Sequence, residues 1–157
     1  MVQKWALMIA GQTEDGMSRL IGTSTAGVLF ALSLLHVYWA AGGGWGTDVT
    51  IPKQDGKPLF QPPPAGTLLV AILLFSAGLV VLGRLGLWGA ALPHWPYVAE
   101  PWTLVAVFLG RAVGDFRWFG VFKRMRGTAF AWWDTWLFVP LCLLLAFGCL
   151  VVAASES

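Results

Sequence analysis

The stretch from Gly110 to Pro140, GRAVGDFRWFGVFKRMRGTAFAWWDTWLFVP, is the most informative part of the sequence, because isolated charges interrupt its apolar runs. Arg111 and Asp115 lie inside one otherwise apolar segment, and Asp134 lies at the start of the next. An ionisable residue within a membrane-spanning segment is unfavourable unless it is paired or hydrated. The stretch therefore predicts a membrane protein in which these charges form either a functional site or a structural ion pair.

The composition of the whole chain also favours a membrane protein. Of the 157 residues, 57% are hydrophobic and 11% are charged. About a quarter of the residues in soluble domains are charged, so this chain has too few charged residues to cover a globular surface. The net charge of +2 is too small to indicate a nucleic-acid partner. The lipid bilayer is therefore the first expected partner, and a membrane protein partner or a homo-oligomer is also compatible with the composition.

Four apolar runs are each long enough to cross about 30 Å of hydrocarbon as a helix. The predicted spans are residues 20–41, 66–83, 102–119 and 136–154. They predict an all-α fold, a four-transmembrane-helix bundle with one long first interhelical loop. We expect a single domain over residues 17–157, preceded by a flexible N-terminal tail, residues 1–16. Either Met1 or Met17 is compatible with the natural start of the chain, because the first span follows Met17 directly.

The charges of the loops predict the orientation in the membrane. The first and third loops together contain six Lys and Arg residues, against three in the other loop and the termini. Since basic residues concentrate on the cytoplasmic side, the two longer loops are expected in the cytoplasm.

Four polar side chains are predicted to converge in one half of the bundle if the helices pack in sequence order: His36, Arg111, Asp115 and Asp134. Arg111 and Asp115 are four residues apart, a spacing that allows a pair on one helix face. Asp134 is placed to cap the N-terminus of the fourth span. Such a cluster either fixes the packing of the helices or forms a ligand site, and the sequence leaves both interpretations open. The two histidines lack the spacing of metal ligands, so no metal site is predicted, and the cofactor is unknown.

A basic cluster, Lys123, Arg124 and Arg126, follows the third span. Its simplest interpretation is a membrane-surface anchor that attracts anionic lipids. The alternative is the capture of a phosphate or carboxylate group.

Three segments resemble a family of small bacterial four-helix integral membrane proteins, catalogued as a domain of unknown function. They are HVYWAAGGGWG (36–46), IPKQDGKPLF (51–60) and the run from Gly110 to Leu145. The resemblance covers residues 18–153 and implies a location in the bacterial inner (plasma) membrane. It implies no activity. The hallmark residues that it implies are His36, Trp39, Arg111, Asp115, Arg117 and Asp134.

No established catalytic signature occurs in the sequence: there is no nucleophile elbow, HExxH, CxxC or phosphate loop. We therefore expect a non-catalytic membrane protein that binds a partner subunit or an amphiphilic ligand at a polar, cationic end of the bundle. One alternative is a membrane enzyme that acts on a lipid-like or anionic substrate with His36, Asp115 and Arg111. Another alternative is an accessory subunit of a larger bioenergetic or pigment-bearing membrane complex.

Overall fold

The computed structural model describes residues 2–54, 57–89 and 95–155, with the backbone alone described for residues 2–14 and 54. The described chain is predominantly helical. Its helices are α1 (Val2–Ala40), α2 (Thr47–Thr50), α3 (Pro64–Arg84), α4 (Trp95–Val113), α5 (Ala129–Trp133) and α6 (Val139–Ala154). A π-helical turn, Asp134–Phe138, joins α5 to α6, so the chain is helical from Ala129 to Ala154. Two short antiparallel strands, β1 (Lys53–Gln54) and β2 (Lys57–Pro58), lie in the loop between α2 and α3.

Three helical segments in the described part of the chain are long and apolar enough to cross a membrane, which indicates an integral membrane protein. They are Asp15–Ala40 in α1, the whole of α3, and Ala129–Ala154. The helix α4 has 19 residues, but it contains Glu100, Pro101 and Arg111 and is less apolar than the other three. The all-helical membrane fold is thus confirmed, whereas length and apolarity identify three spans rather than four.

The helix bounds differ from the predicted spans at three places. Residues 2–16, predicted as a tail, are helical and continuous with the first span. The third predicted span, 102–119, is displaced, because α4 begins at Trp95 and ends at Val113. Gly114, with φ of +91°, ends α4, since a right-handed helix cannot include a residue in the left-handed region. The last helical segment begins seven residues before the predicted Trp136, at Ala129.

The four long helices form a ring in which α1 packs on α3 and α6, and α4 packs on α3 and α6. Leu29, Val81, Val152 and Cys149 are fully buried between them. The backbones of α1 and α6 approach closely where Gly148 faces Thr25, and a side chain at Gly148 would overlap the threonine hydroxyl. Small residues at such a crossing let two membrane helices pack tightly.

Consecutive long helices run antiparallel. Near one end of the bundle, Gly22 in α1 lies against Leu85, which follows α3, and Val152 in α6. At that same end the Arg84 side chain donates to the carbonyl oxygen of Ser155 at 2.6 Å. The opposite end of the bundle contains the end of α1, the start of α3, the end of α4 and the start of α5. We call this second end the polar end, because the candidate site lies there.

Candidate functional site

The loop between α4 and α5, residues 114–128, folds back on the end of α4. The Val121 N–H donates to the carbonyl oxygen of Ala112 at 2.8 Å. Gly114 and Gly120 lie in direct backbone contact, both with positive φ, and a Cβ on Gly114 would overlap the Phe119 carbonyl oxygen. Only glycine allows this approach, so the sequence pattern GDFRWFG determines a compact loop at this point.

The carboxylate of Asp115 organises the first part of the loop. Its Oδ1 accepts hydrogen bonds from the N–H groups of Arg117, Trp118 and Phe119 at 2.9, 2.7 and 3.1 Å. Partial burial acts to raise the pKa of this carboxyl, but the three N–H groups outweigh it and hold the pKa below its usual value. Asp115 therefore stays ionised at neutral pH and serves the backbone of its own loop.

Asp134 is the centre of the site, and its side chain is completely buried. Its Oδ1 accepts from the guanidinium Nη2 of Arg111 at 2.9 Å. Its Oδ2 accepts from Lys123 Nζ at 3.0 Å and from the Gly120 N–H at 2.7 Å. We call Arg111, Lys123 and Asp134 the buried triad. A buried carboxylate with two cationic donors and one amide donor is fully satisfied, and it joins α4, the 114–128 loop and the last helical segment.

Lys123 uses all three of its ammonium donors inside the protein. Besides Asp134, its Nζ donates to the carbonyl oxygen of Gly120 at 3.3 Å and to the Thr135 hydroxyl at 2.6 Å. An ammonium group has three donors and no acceptor, so this lysine has no donor left for a ligand. The triad has two cations and one anion, and it therefore contributes a net positive charge to its surroundings.

Arg111 occupies the outer position of the triad. Its side chain remains 33% exposed, and the guanidinium carbon lies 4.5 Å from the centre of the Phe119 ring. This geometry allows a cation–π contact. Among the described residues, its buried Nη1 has no hydrogen-bond partner.

The π-helical turn positions Asp134 and Thr135 side by side. Pro140 follows this turn and has no N–H to donate to the carbonyl one turn before it, which explains why the regular helix widens here. The Val139 N–H accordingly donates to the carbonyl oxygen of Asp134. Within the wider turn, Asp134 and Thr135 both contact the ammonium group of Lys123.

A cleft of about 610 Å³ lies beside the triad, between the 114–128 loop and the last helical segment. Its lining residues are Val121, Lys123, Arg126, Gly127, Thr128, Ala129, Ala131, Trp132, Thr135, Trp136 and Val139. The basic and hydroxyl groups lie toward the loop, whereas the apolar wall continues along the helix. The cleft is thus both cationic and aromatic, a combination that accommodates an amphiphile with an anionic head.

The family relationship follows from a comparison with known families. The family model described as protein of unknown function (DUF3995) matches residues 29–149. The chain belongs to this family. The matched region includes α3, α4, the 114–128 loop and the buried triad, and the predicted resemblance to an uncharacterised family is thereby confirmed. No curated protein and no solved structure matches this DUF3995 chain.

The structure corrects three predicted roles in this DUF3995 protein. Arg111 pairs with Asp134 rather than with Asp115, because α4 ends at Val113 and the spacing of four no longer lies on a helix. Asp134 lies inside the last helical segment and does not cap it. The N-terminus of this segment is capped by the Thr128 hydroxyl, which accepts from the Ala131 N–H at 3.1 Å. Lys123 is turned inward to the triad. Only two members of the predicted surface cluster, Arg124 and Arg126, are therefore exposed.

His36 and Trp39 form a separate aromatic group near the end of α1. The Nδ1–H of His36 donates to the carbonyl oxygen of Leu32 at 2.8 Å, and its ring meets Trp39 edge-on at 5.0 Å. Trp39 Nε1 donates to the carbonyl oxygen of Trp45 at 2.8 Å. In the described part of the chain, no hydrogen bond or ion pair connects the buried triad to His36, Trp39, Asp115 or Arg117. The predicted catalytic combination of His36, Asp115 and Arg111 is therefore not assembled by direct contacts in the described chain.

Several lining residues of the cleft were not predicted as site residues. Thr128, Trp132, Thr135, Trp136 and Val139 lie at positions i, i+4, i+7, i+8 and i+11, a spacing that places them along one helix face. That periodicity was a usable signal once the helix was known to begin at Ala129. Among the described residues, no group of three or more His, Cys, Asp or Glu side chains could hold a metal ion.

Proposed function

We propose that this DUF3995 protein is a non-catalytic, four-span protein of the bacterial inner membrane that binds an amphiphile with an anionic head group in the cleft beside the buried triad. The observation that carries the proposal is the composition of the cleft, which combines Arg126 and two hydroxyl-bearing residues with exposed tryptophans. Its volume lies in the range of about 300–1,000 Å³ that is typical of small-molecule sites.

The direction of the cleft supports a ligand with a polar head and an apolar tail. Thr128, which caps the last helical segment, and Val139 within that segment both line the cleft and are eleven residues apart. At about 1.5 Å per residue they are separated by roughly 16 Å along the helix. A head group near Arg126 and Thr128 would therefore lie at the membrane boundary, while its chain extends past Trp136 toward the hydrocarbon.

The hydrogen bonds distinguish direct ligands from supporting residues. Arg126 is exposed and carries donors that can bind an anion. The Thr128 oxygen accepts from the Ala131 N–H, and its own hydroxyl proton can be donated to the ligand. Lys123, with its donors already used, acts on the ligand through its charge and through its bond to Thr135.

The position of α4 supports the fourth span. Its first turn lies next to the end of α3, where Tyr97 packs against Gly83, and its last turn is tied to Asp134 at the polar end. The helix thus extends from the end of α3 to the polar end of the bundle. Its 19 residues give a length of about 28 Å, close to the hydrocarbon thickness.

Native mass spectrometry of the full chain in mild detergent tests the binding. We expect retained phosphatidylglycerol in preference to phosphatidylcholine, and Arg126→Gln should weaken phosphatidylglycerol binding about tenfold through loss of a charge-assisted hydrogen bond. Lys57→Gln is the control, since Lys57 is an exposed basic residue on another loop of the polar end and does not line the cleft.

A second pair of variants tests the apolar wall. Trp136→Ala should weaken binding of the same lipid, whereas Trp133→Ala, which changes a tryptophan outside the cleft, should not. Equal effects within both pairs, or equal retention of the two lipids by the unaltered protein, would exclude the cleft as the binding site.

A further inference from the structure

We propose that the outer surface of the 114–128 loop docks onto the head-group layer of an anionic leaflet of the membrane that the helices cross. We call this surface the arginine–aromatic face. It consists of the exposed side chains of Phe116, Arg117, Phe122, Arg124 and Met125. This contact is with the bilayer surface and does not depend on occupancy of the cleft.

The first observation is an exposed pair of aromatic rings. Phe116 and Phe122 are 57% and 59% exposed, and their rings stack with a centroid distance of 6.0 Å and an interplanar angle of 27°. The two loop segments that carry them are adjacent, because the Met125 N–H donates to the Arg117 carbonyl oxygen at 2.9 Å. Apolar rings grouped in this way are unfavourable in water and favourable at the boundary of a bilayer.

The second observation is that the loop backbone holds Phe116 outward at a conformational cost. Phe116 has φ of +60°, a left-handed conformation that is rare for a large side chain. The three hydrogen bonds that Asp115 accepts from the residues after Phe116 fix this conformation. Backbone strain that the surroundings maintain in this way is concentrated at functional positions of proteins.

The third observation is the charge that surrounds the rings. The exposed ionisable residues of the 114–128 loop are Arg117, Arg124, Arg126 and Asp115, which gives three positive charges against one negative and a net charge of +2. Lys123 is excluded because it is buried against Asp134. Arginines beside aromatic rings at the end of a membrane helix match the charge and polarity of an anionic head-group layer.

Spin-label accessibility in nanodiscs tests the docking. A nitroxide is attached at Met125→Cys in a Cys142→Ala/Cys149→Ala background, and a label at Gln61→Cys provides an exposed reference on another loop of the polar end. In phosphatidylglycerol discs, the label at position 125 should be less accessible to a water-soluble relaxation reagent, and more accessible to oxygen, than the label at position 61. In phosphatidylcholine discs the protection at position 125 should be weaker.

Two further variants separate the contributions of charge and rings. Arg117→Gln/Arg124→Gln should abolish the difference between the two lipids, and Phe116→Ser/Phe122→Ser should raise reagent access in both. A label at Phe147→Cys, exposed in the middle of α6, confirms that each variant is inserted, since it should be protected from the reagent. Equal reagent access at positions 125 and 61 in phosphatidylglycerol, or equal protection at position 125 in both lipids, would overturn the proposal. Both results are independent of whether a ligand occupies the cleft.

Discussion

Replacing Asp134 with asparagine should destabilise the bundle strongly, because it removes the only carboxylate of the buried triad while preserving its shape. The Lys123 side chain is 5% exposed and would lose its buried counter-charge. Removing one member of a buried ion pair typically lowers stability by about 3–5 kcal/mol. Arg111, at 33% exposed, can be hydrated, and the asparagine oxygen can still accept from the Gly120 N–H. We therefore expect a loss near the lower limit, about 3 kcal/mol.

Unfolding in mixed micelles with an increasing mole fraction of sodium dodecyl sulfate, followed by circular dichroism, measures this loss. Asp48→Asn is the matched control, because Asp48 pairs with Lys53 at 2.6 Å but is 86% exposed, and an exposed pair should contribute no measurable stability. The double variant Lys123→Met/Asp134→Asn should recover most of the loss, since it removes the uncompensated ammonium group while the asparagine oxygen still accepts from the Gly120 N–H. Unchanged stability of Asp134→Asn, or a double variant less stable than Asp134→Asn alone, would refute the electrostatic explanation.

Three further results are expected. Arg111→Ala should reduce the stability in the same micelle assay by less than Asp134→Asn, because Asp134 would keep its lysine partner; an equal or larger loss would contradict this. Folding lowers the pKa of Asp115. Its contribution to the stability of the folded protein is therefore present above the unfolded pKa of about 3.9 and is lost as the pH falls through the folded pKa. The amides that donate to Asp115 should therefore lose protection from hydrogen exchange in acid, after correction for the intrinsic pH dependence of exchange. Constant protection would be evidence against the role of Asp115 in holding the loop. Gly114→Ala should unfold at a lower detergent fraction than the parent, because its methyl group would overlap the Phe119 carbonyl and φ is +91°, whereas Gly110→Ala, with open space around it, should not.

The membrane fold was largely predictable because it depends on composition and on the lengths of apolar runs. The helix α3 lies within two residues of its predicted bounds, 66–83. The end of α4 was not predictable from hydrophobicity, because the residues after Val113 are mostly apolar or aromatic and continue the pattern of the span. The helix ends there because Gly114 adopts a positive φ and Asp115 binds the following N–H groups, both of which depend on local geometry.

The site was predictable only in part. Arg111 and Asp134 were both singled out because they are charges next to apolar runs, and they are in contact in the structure. Their pairing joins residues 23 positions apart and depends on how α4 packs on α6, which a single sequence does not specify. Lys123 was assigned to the membrane surface because it belongs to a basic cluster with Arg124 and Arg126, and its pairing with Asp134 became evident only with the fold.

A density map of the full chain in phosphatidylglycerol nanodiscs is a direct test of lipid binding in the cleft, since it locates the head group without any substitution. We expect density for a head group within hydrogen-bond distance of Arg126 and Thr128, with its chain extending past Trp136. A well-resolved cleft that contains no lipid, while ordered lipid is visible elsewhere around the bundle, would contradict it.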